Sequence, residues 1–148
     1  MRPGTIFWWK NFPYPRFGSE IKPRWFVCLG DTGRITEPAI VFFSTTTTVK
    51  DDFEAGGKRA GHHFFRFDKK RYPCFEEDCI LDFDEPPYNE SEKVITSHKD
   101  IEFKGELDKK TLKSIYEGIL RSQYYSPKVL GDIHRSLNQI GITGLQKP

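Results

Sequence analysis

The chain has 148 residues, the size of one ordinary domain, and with 36% apolar and 30% charged residues at a net charge of +2 it is not a wholly disordered polymer. Thirteen Phe, six Tyr and three Trp supply a core built largely from aromatic bulk. No apolar run is long enough for a secretory leader or a membrane span, and three cysteines cannot all pair internally, so a reduced, cytoplasmic chain without membrane contact is expected.

In chain order, "TIFWWK" (Thr5 to Lys10) is rich in strand formers, and the prolines of "NFPYPRFGSE" turn it into a loop. "RWFVCLG" (Arg24 to Gly30) is a second strand, "DTGRITE" a turn, and "PAIVFFSTTTT" (Pro38 to Thr48) a third strand forming a hairpin with the second. "VKDDFEAGGKRAG" reads as a mobile, glycine-diluted loop. "HHFFRF" (His62 to Phe67), "CILDF" (Cys79 to Phe83) and "DIEFKG" (Asp100 to Gly105) are further short strands. "DEPPYNESEK" is read as a loop, because its two prolines interrupt either regular structure.

The period then changes. Leu112, Ile115, Tyr116, Ile119 and Leu120 fall at helical spacing behind Asp108 as N-cap. A second helix runs from Ser126 and Pro127, with Leu130, Ile133, Leu137 and Ile140 on one face and Gly141 as its stop. Short strands with turn chemistry followed by a helical pair predict a single α+β, mainly β domain over 1–148. Its parts are a small barrel core over 1–105 and a helical element over 106–148.

Charge is distributed unevenly. Lys10 to Arg24 holds four bases against Glu20, and Lys58 to Arg71 holds six against Asp68, whereas Glu76 to Glu92 holds eight acids and no base. If folding joins the two basic segments, their field suits a polyanion, with the acidic segment moderating nonspecific attraction. Cys74-x4-Cys79 is a poor metal spacing, and His62 and His63 would have to complete any zinc site from elsewhere, so no metal or cofactor is expected.

The N-terminal third carries a family likeness. "RPGTIFWWKNF", then "GSEIKPRWFVCLG", then "PAIVFFSTTTT" resembles the MazF/PemK-like toxins of bacterial toxin–antitoxin pairs over about residues 3 to 48, in order and spacing. Trp25 stands where many members carry proline, and the last fifty residues look like an extension. The resemblance implies an SH3-like barrel that dimerises, cleaves single-stranded RNA (mRNA) without metal, and is held by a cognate antitoxin protein. It implies Arg24 and Thr45 as catalytic residues, with Thr46 as the nearest rival for the hydroxyl. Ser19, Glu20 and Lys22 would shape the substrate loop.

Chemistry gives these residue types reasons of their own. A guanidinium presents a planar fork to phosphate oxygens, so Arg24 suits a pentavalent dianion or the leaving 5′-oxygen and makes a poor base. Thr45 offers a neutral donor to a phosphate oxygen. The acceptor of the 2′-hydroxyl proton is open between Glu20, His62 and His63. Trp8, Trp9, Phe17 and Trp25 could stack unpaired bases, although core packing is the commoner use of such rings and Phe17, in the loop, is the best placed.

Each feature also has a plainer meaning. Arg24 could pair with Glu20 across a loop, and "TTTT" could be an edge strand chosen for β-branching. At the level of function, the alternatives are a non-catalytic toxin on the same barrel, such as a gyrase inhibitor, or a nucleic-acid-binding regulatory module.

Overall fold

Three strands near the N-terminus, β1 (Thr5–Trp9), β2 (Arg24–Asp31) and β3 (Ile40–Thr47), form the centre of an antiparallel sheet in a computed structural model that describes residues 1–14, 21–33 and 38–148. Next come β4 (Phe64–Phe67), β5 (Cys79–Asp82), β6 (Tyr88–Ser91), the short helix α1 (Glu92–Ser97) and β7 (Ile101–Glu106). Two longer helices, α2 (Lys109–Ile119) and α3 (Pro127–Gln139), complete the chain. The strand order is β4-β5-β3-β2-β1-β7, with β6 also on β3, which makes an α+β fold dominated by one seven-stranded sheet. No pairing joins β4 to β7 among the described residues, so these ladders form an open sheet and not the closed barrel expected from the strand pattern.

Alternation along the central strands sorts their side chains into two cores. Ile6, Val27, Leu29 and Phe42 face one way, onto Leu112, Ile115, Tyr116 and Ile119 of α2 and Leu130, Ile133 and Leu137 of α3. Phe7, Trp9, Phe26, Cys28, Val41 and Phe43 face the other, onto Phe12, Tyr88, Ile95 and Ile101. That second core is aromatic, with Phe26 5.0 Å from Phe43 and 4.7 Å from Phe12 between ring centroids. Both faces are thus buried over the central strands, and the helices of the C-terminal element cover one of them.

The two helices start and stop where their sequence signals stand. Asp108 accepts from the Thr111 N–H at 2.7 Å and Ser126 from the Val129 N–H at 3.2 Å, each satisfying an otherwise orphaned donor. Gly141, at φ +90°, ends α3 and lets the Ile142 N–H reach the Leu137 carbonyl at 3.1 Å. Ser136 ties α3 to the sheet by accepting from the Asp31 N–H at 3.0 Å.

β3 is the spine that positions the site. On one side it pairs with β2. On the other it has two partners in succession, β6 opposite Ile40–Phe43 and β5 opposite Thr46 and Thr47. The sheet forks between them at Ser44 and Thr45, and the turn from Phe83 to Pro87 bridges the fork. No helix among the described residues is long and apolar enough to cross a membrane.

Several elements depart from their sequence signals. His62 and His63 precede β4 and are not part of it. The segment after Pro86 and Pro87, read as loop, holds β6 and the start of α1, because pairing with β3 outweighs weak local propensity. The loop after β3 contains a 3-10 turn over Lys50–Phe53 and is laced by hydrogen bonds such as the Arg59 N–H to the Asp52 carbonyl, 2.7 Å.

Candidate functional site

A cavity of about 700 Å3 opens at the fork of the sheet. Lys22, Arg24 and Trp25 line it from β2 and its approach, and Thr45 to Thr48 from the end of β3. Arg59 and His62 line it from the loop before β4, and Asp82 and Glu85 from β5 and the bridging turn. Of the residues singled out in sequence, Lys22, Arg24, Thr45, Thr46 and His62 therefore meet at one place, whereas His63 is 79% exposed and is not part of the lining. Phe17, Ser19 and Glu20 lie outside the described residues.

Register explains the convergence. Thr45 is opposite Phe26 on β2, and Arg24 is two residues along from Phe26, so Thr45 and Arg24 share a sheet face. Thr46 points to the other face, where its hydroxyl meets the Cys79 thiol. Only the first of the two threonines stands on the arginine's side. On the far edge of β3, Thr46 pairs with Leu81 and Thr47 with Ile80, which puts Asp82 beside Thr45 at the next position. Arg24, Thr45 and Asp82 thus sit on one face of three neighbouring strands, with Arg24 and Asp82 about 12 Å apart on the diagonal between backbones.

The partners differ. Arg24 is half-buried, and its Nε is enclosed with no hydrogen-bond acceptor among the described residues. Trp9, paired with it across β1 and β2, has its Nε1 in the same condition. Buried donors without acceptors each cost about 1–3 kcal/mol; Trp9 is enclosed in the aromatic core away from the cavity, whereas Arg24 lines it and would offer Nε to an acceptor such as a phosphate oxygen once the side chain turns outward. The Thr45 hydroxyl donates to the Trp25 carbonyl at 3.1 Å, an inward bond that it would have to exchange to reach a ligand.

At the opposite end, Asp82 is buried, with only 2% of its side chain exposed. Its Oδ1 accepts from the Asp84 N–H at 2.8 Å, and its Oδ2 lies 2.8 Å from Nδ1 of His62 and 3.4 Å from Nη1 of Arg59. Arg59 also reaches Glu85 at 3.4 Å, and its guanidinium lies over the Phe53 ring. The β4–β5 ladder sets up this arrangement: Phe64 pairs with Asp82, and the Phe83 N–H continues to the His63 carbonyl at 2.9 Å. His63 turns away to Asp84, ring nitrogen to carboxylate 3.1 Å.

Asp82 and Arg59 escape the sequence reading. A signal existed for Asp82, since a lone carboxylate inside the apolar run "CILDF" is costly to bury unless it has partners. Nothing local announces Arg59.

The electrostatics correct the simple picture of a basic groove. The ends of both basic segments do meet, as Lys22 and Arg24 with Lys58 and Arg59, but Glu76, Glu77, Asp82, Asp84 and Glu85 of the acidic segment line the same cavity. Carboxylates outnumber cations there. The positive field is local to the Arg24 end, which suits one phosphate and not a long polyanion track.

The candidate stacking rings divide likewise. Trp9 is 1% exposed in the aromatic core, while Trp8 and Trp25 are half-buried with the Lys104 ammonium over both, 5.4 and 5.7 Å from their ring centroids. Trp25 and Phe75, centroids 5.7 Å apart, form the aromatic wall of the cavity. Among the described residues, no group of three or more His, Cys, Asp or Glu is placed to hold a metal ion. Comparison with protein families, with curated proteins and with solved structures finds no match for this chain.

Proposed function

We propose that the chain is a toxin-like endoribonuclease of the MazF/PemK-like kind, cleaving single-stranded RNA by attack of a 2′-hydroxyl on the adjacent phosphate. One observation carries this reading. Arg24 and Thr45, chosen from separate linear motifs, share a face and line one cavity, where the arginine's Nε is buried without an acceptor. A phosphate there would be gripped by a permanently charged, planar fork, and charge developing on its oxygens would be stabilised in a partly enclosed site. Lys22 adds charge at the mouth, and the half-buried Trp25 ring, backed by the buried Phe75, offers a surface for a base.

On this reading the seven-stranded sheet corresponds to the family's small SH3-like barrel, open between β4 and β7, with α2 and α3 added on its outer face. A homodimer and an antitoxin that occupies the RNA groove belong to the same reading.

The test is to incubate the purified chain with mixed-sequence single-stranded RNA in the presence of chelator. Cleavage to 2′,3′-cyclic phosphate and 5′-hydroxyl ends is expected. It should be lost in Arg24→Ala and on 2′-deoxy substrates. Intact RNA after prolonged incubation with the wild type would overturn the proposal.

A further inference from the structure

Resting on that reading, we propose that His62, oriented by Asp82, is the general base that accepts the 2′-hydroxyl proton. Base work needs a group that is reachable, fixed in orientation and able to accept a proton at neutral pH, and an imidazole held by a carboxylate combines these properties. The Asp82 carboxylate can only accept, so its 2.8 Å contact requires the proton of a neutral His62 to sit on Nδ1. Nε2 is then the basic nitrogen. Asp82 cannot swing away, because the Asp84 N–H, Arg59 and burial among strand residues hold it in place. The ring is 31% exposed, within reach of substrate.

Placement supports the role. Asp82 stands beside Thr45 on the sheet face that also carries Arg24, and His62 lines the same cavity. With Arg24 and Asp82 about 12 Å apart between backbones on that face, the long Arg24 side chain and the His62 ring can converge on one nucleotide, its phosphate at Arg24 and its ribose toward His62. His63, mostly exposed and turned to Asp84, is not so placed.

The step balances. The 2′-O–H bond breaks and its proton goes to Nε2 of His62 as the 2′-oxygen bonds to phosphorus. The P–O5′ bond then breaks with its electron pair on oxygen, the 5′-oxygen takes a proton from water, and His62 returns its proton to solvent. The products are a 2′,3′-cyclic phosphate and a 5′-hydroxyl.

A purely structural role for the pair would be to hold the loop after β3 against β5, and the experiment separates the two. Cleavage of mixed-sequence RNA is measured against pH for wild type, His62→Ala, His62→Gln and Asp82→Asn, with thermal unfolding and affinity for 2′-O-methyl RNA as controls. The charged groups around the ring are Asp82, Asp84, Arg59 and Glu85, with Lys22, Arg24, Asp52, Lys58, Glu76 and Glu77 elsewhere in the cavity lining. These remain in both His62 variants.

Both His62 variants should lose about 10²–10⁴-fold in rate while still binding 2′-O-methyl RNA. They should lose the rise of rate with pH on the acidic side, and His62→Ala should regain activity in proportion to added imidazole. His62→Gln, whose amide can still donate to Asp82, guards against a folding artefact. Asp82→Asn should keep the fold and lower the rate while leaving the affinity for 2′-O-methyl RNA unchanged. A folded His62→Gln that cleaves at the wild-type rate, or a His62→Ala that keeps the acidic limb and ignores imidazole, overturns the assignment. Loss of cleavage in Arg24→Ala in the same series would leave the endoribonuclease reading standing. A wild type that cleaves nothing overturns both.

Discussion

The Phe83 ring lies against the Cα of Gly118 in α2, so closely that a methyl group added there would stand 2.1 Å from a ring carbon. Replacing a helical glycine by alanine ordinarily gains about 1 kcal/mol. Here overpacking of about 1–3 kcal/mol outweighs that gain, because Phe83 is nearly buried and its neighbours would have to yield. Gly118→Ala is expected to lower the stability read from chemical unfolding. Since Phe83 follows Asp82 directly, RNA cleavage should fall with it. A stabilised variant would show that the ring moves freely.

Arg24→Lys keeps the charge and discards the planar fork. If the fork grips phosphate, cleavage falls by about 10²-fold or more although the field is unchanged. Thr45→Val should slow cleavage by up to about tenfold and remove about 1 kcal/mol of stability, since the Trp25 carbonyl loses its donor. Thr45→Ser should restore both. Single-turnover rates and denaturant midpoints measured on the same preparations check the pair.

The Thr111 N–H at the start of α2 holds the Asp108 carboxyl below the usual carboxylate range. A carboxyl depressed in the folded state contributes stability above its unfolded value of about 3.9, and the contribution is lost as pH falls through the lower folded value. An asparagine side chain in its place caps the helix without titrating. Between about pH 5 and about pH 2 the wild type should therefore lose more stability than Asp108→Asn. Asp108→Ala should lose about 1 kcal/mol at neutral pH. Parallel pH curves for wild type and Asp108→Asn would contradict this account.

Burial pushes the Cys28 thiol up to about 12 and the Cys79 thiol up to about 11. Burial also raises Cys74, but that side chain is only half-buried. Because the thiolate is the reacting form, alkylation of the native protein at about pH 8 should mark Cys74 first, with Cys28 and Cys79 following only on unfolding. Peptide mass analysis distinguishes the three. Early modification of Cys28 would mean that β2 opens in the native state.

The central strands and the two long helices were legible because local pattern and tertiary demand coincide there. Phe26, Val27, Cys28 and Leu29 alternate between two cores, and Asp108 and Ser126 cap the helices they precede. β6 was hidden by Pro86 and Pro87, since its pairing with Ile40–Phe43 is set by a partner almost fifty residues away. Tyr72 and Phe75, in a turn-rich stretch, were not recognisable as core residues, although the Tyr72 hydroxyl lies 2.7 Å from that of Thr111 on α2. At the site, Arg24 and Thr45 could be selected by motif. The distinction between His62 and His63 could not, because it depends on which carboxylate each ring finds after the β4–β5 ladder forms.

The fork in the sheet has an architectural consequence. The β4–β5 ribbon is joined to β3 at two register positions, whereas β6 holds the other half of the same strand at four. Arg24 belongs to the β1–β2 pairing and Asp82 to the β4–β5 pairing, so the two ends of the cavity come from different ladders. Each end rests on packed core, through Phe26 on one side and through Leu81 and Phe83 on the other, which makes the seam a preformed mould for whatever fits it.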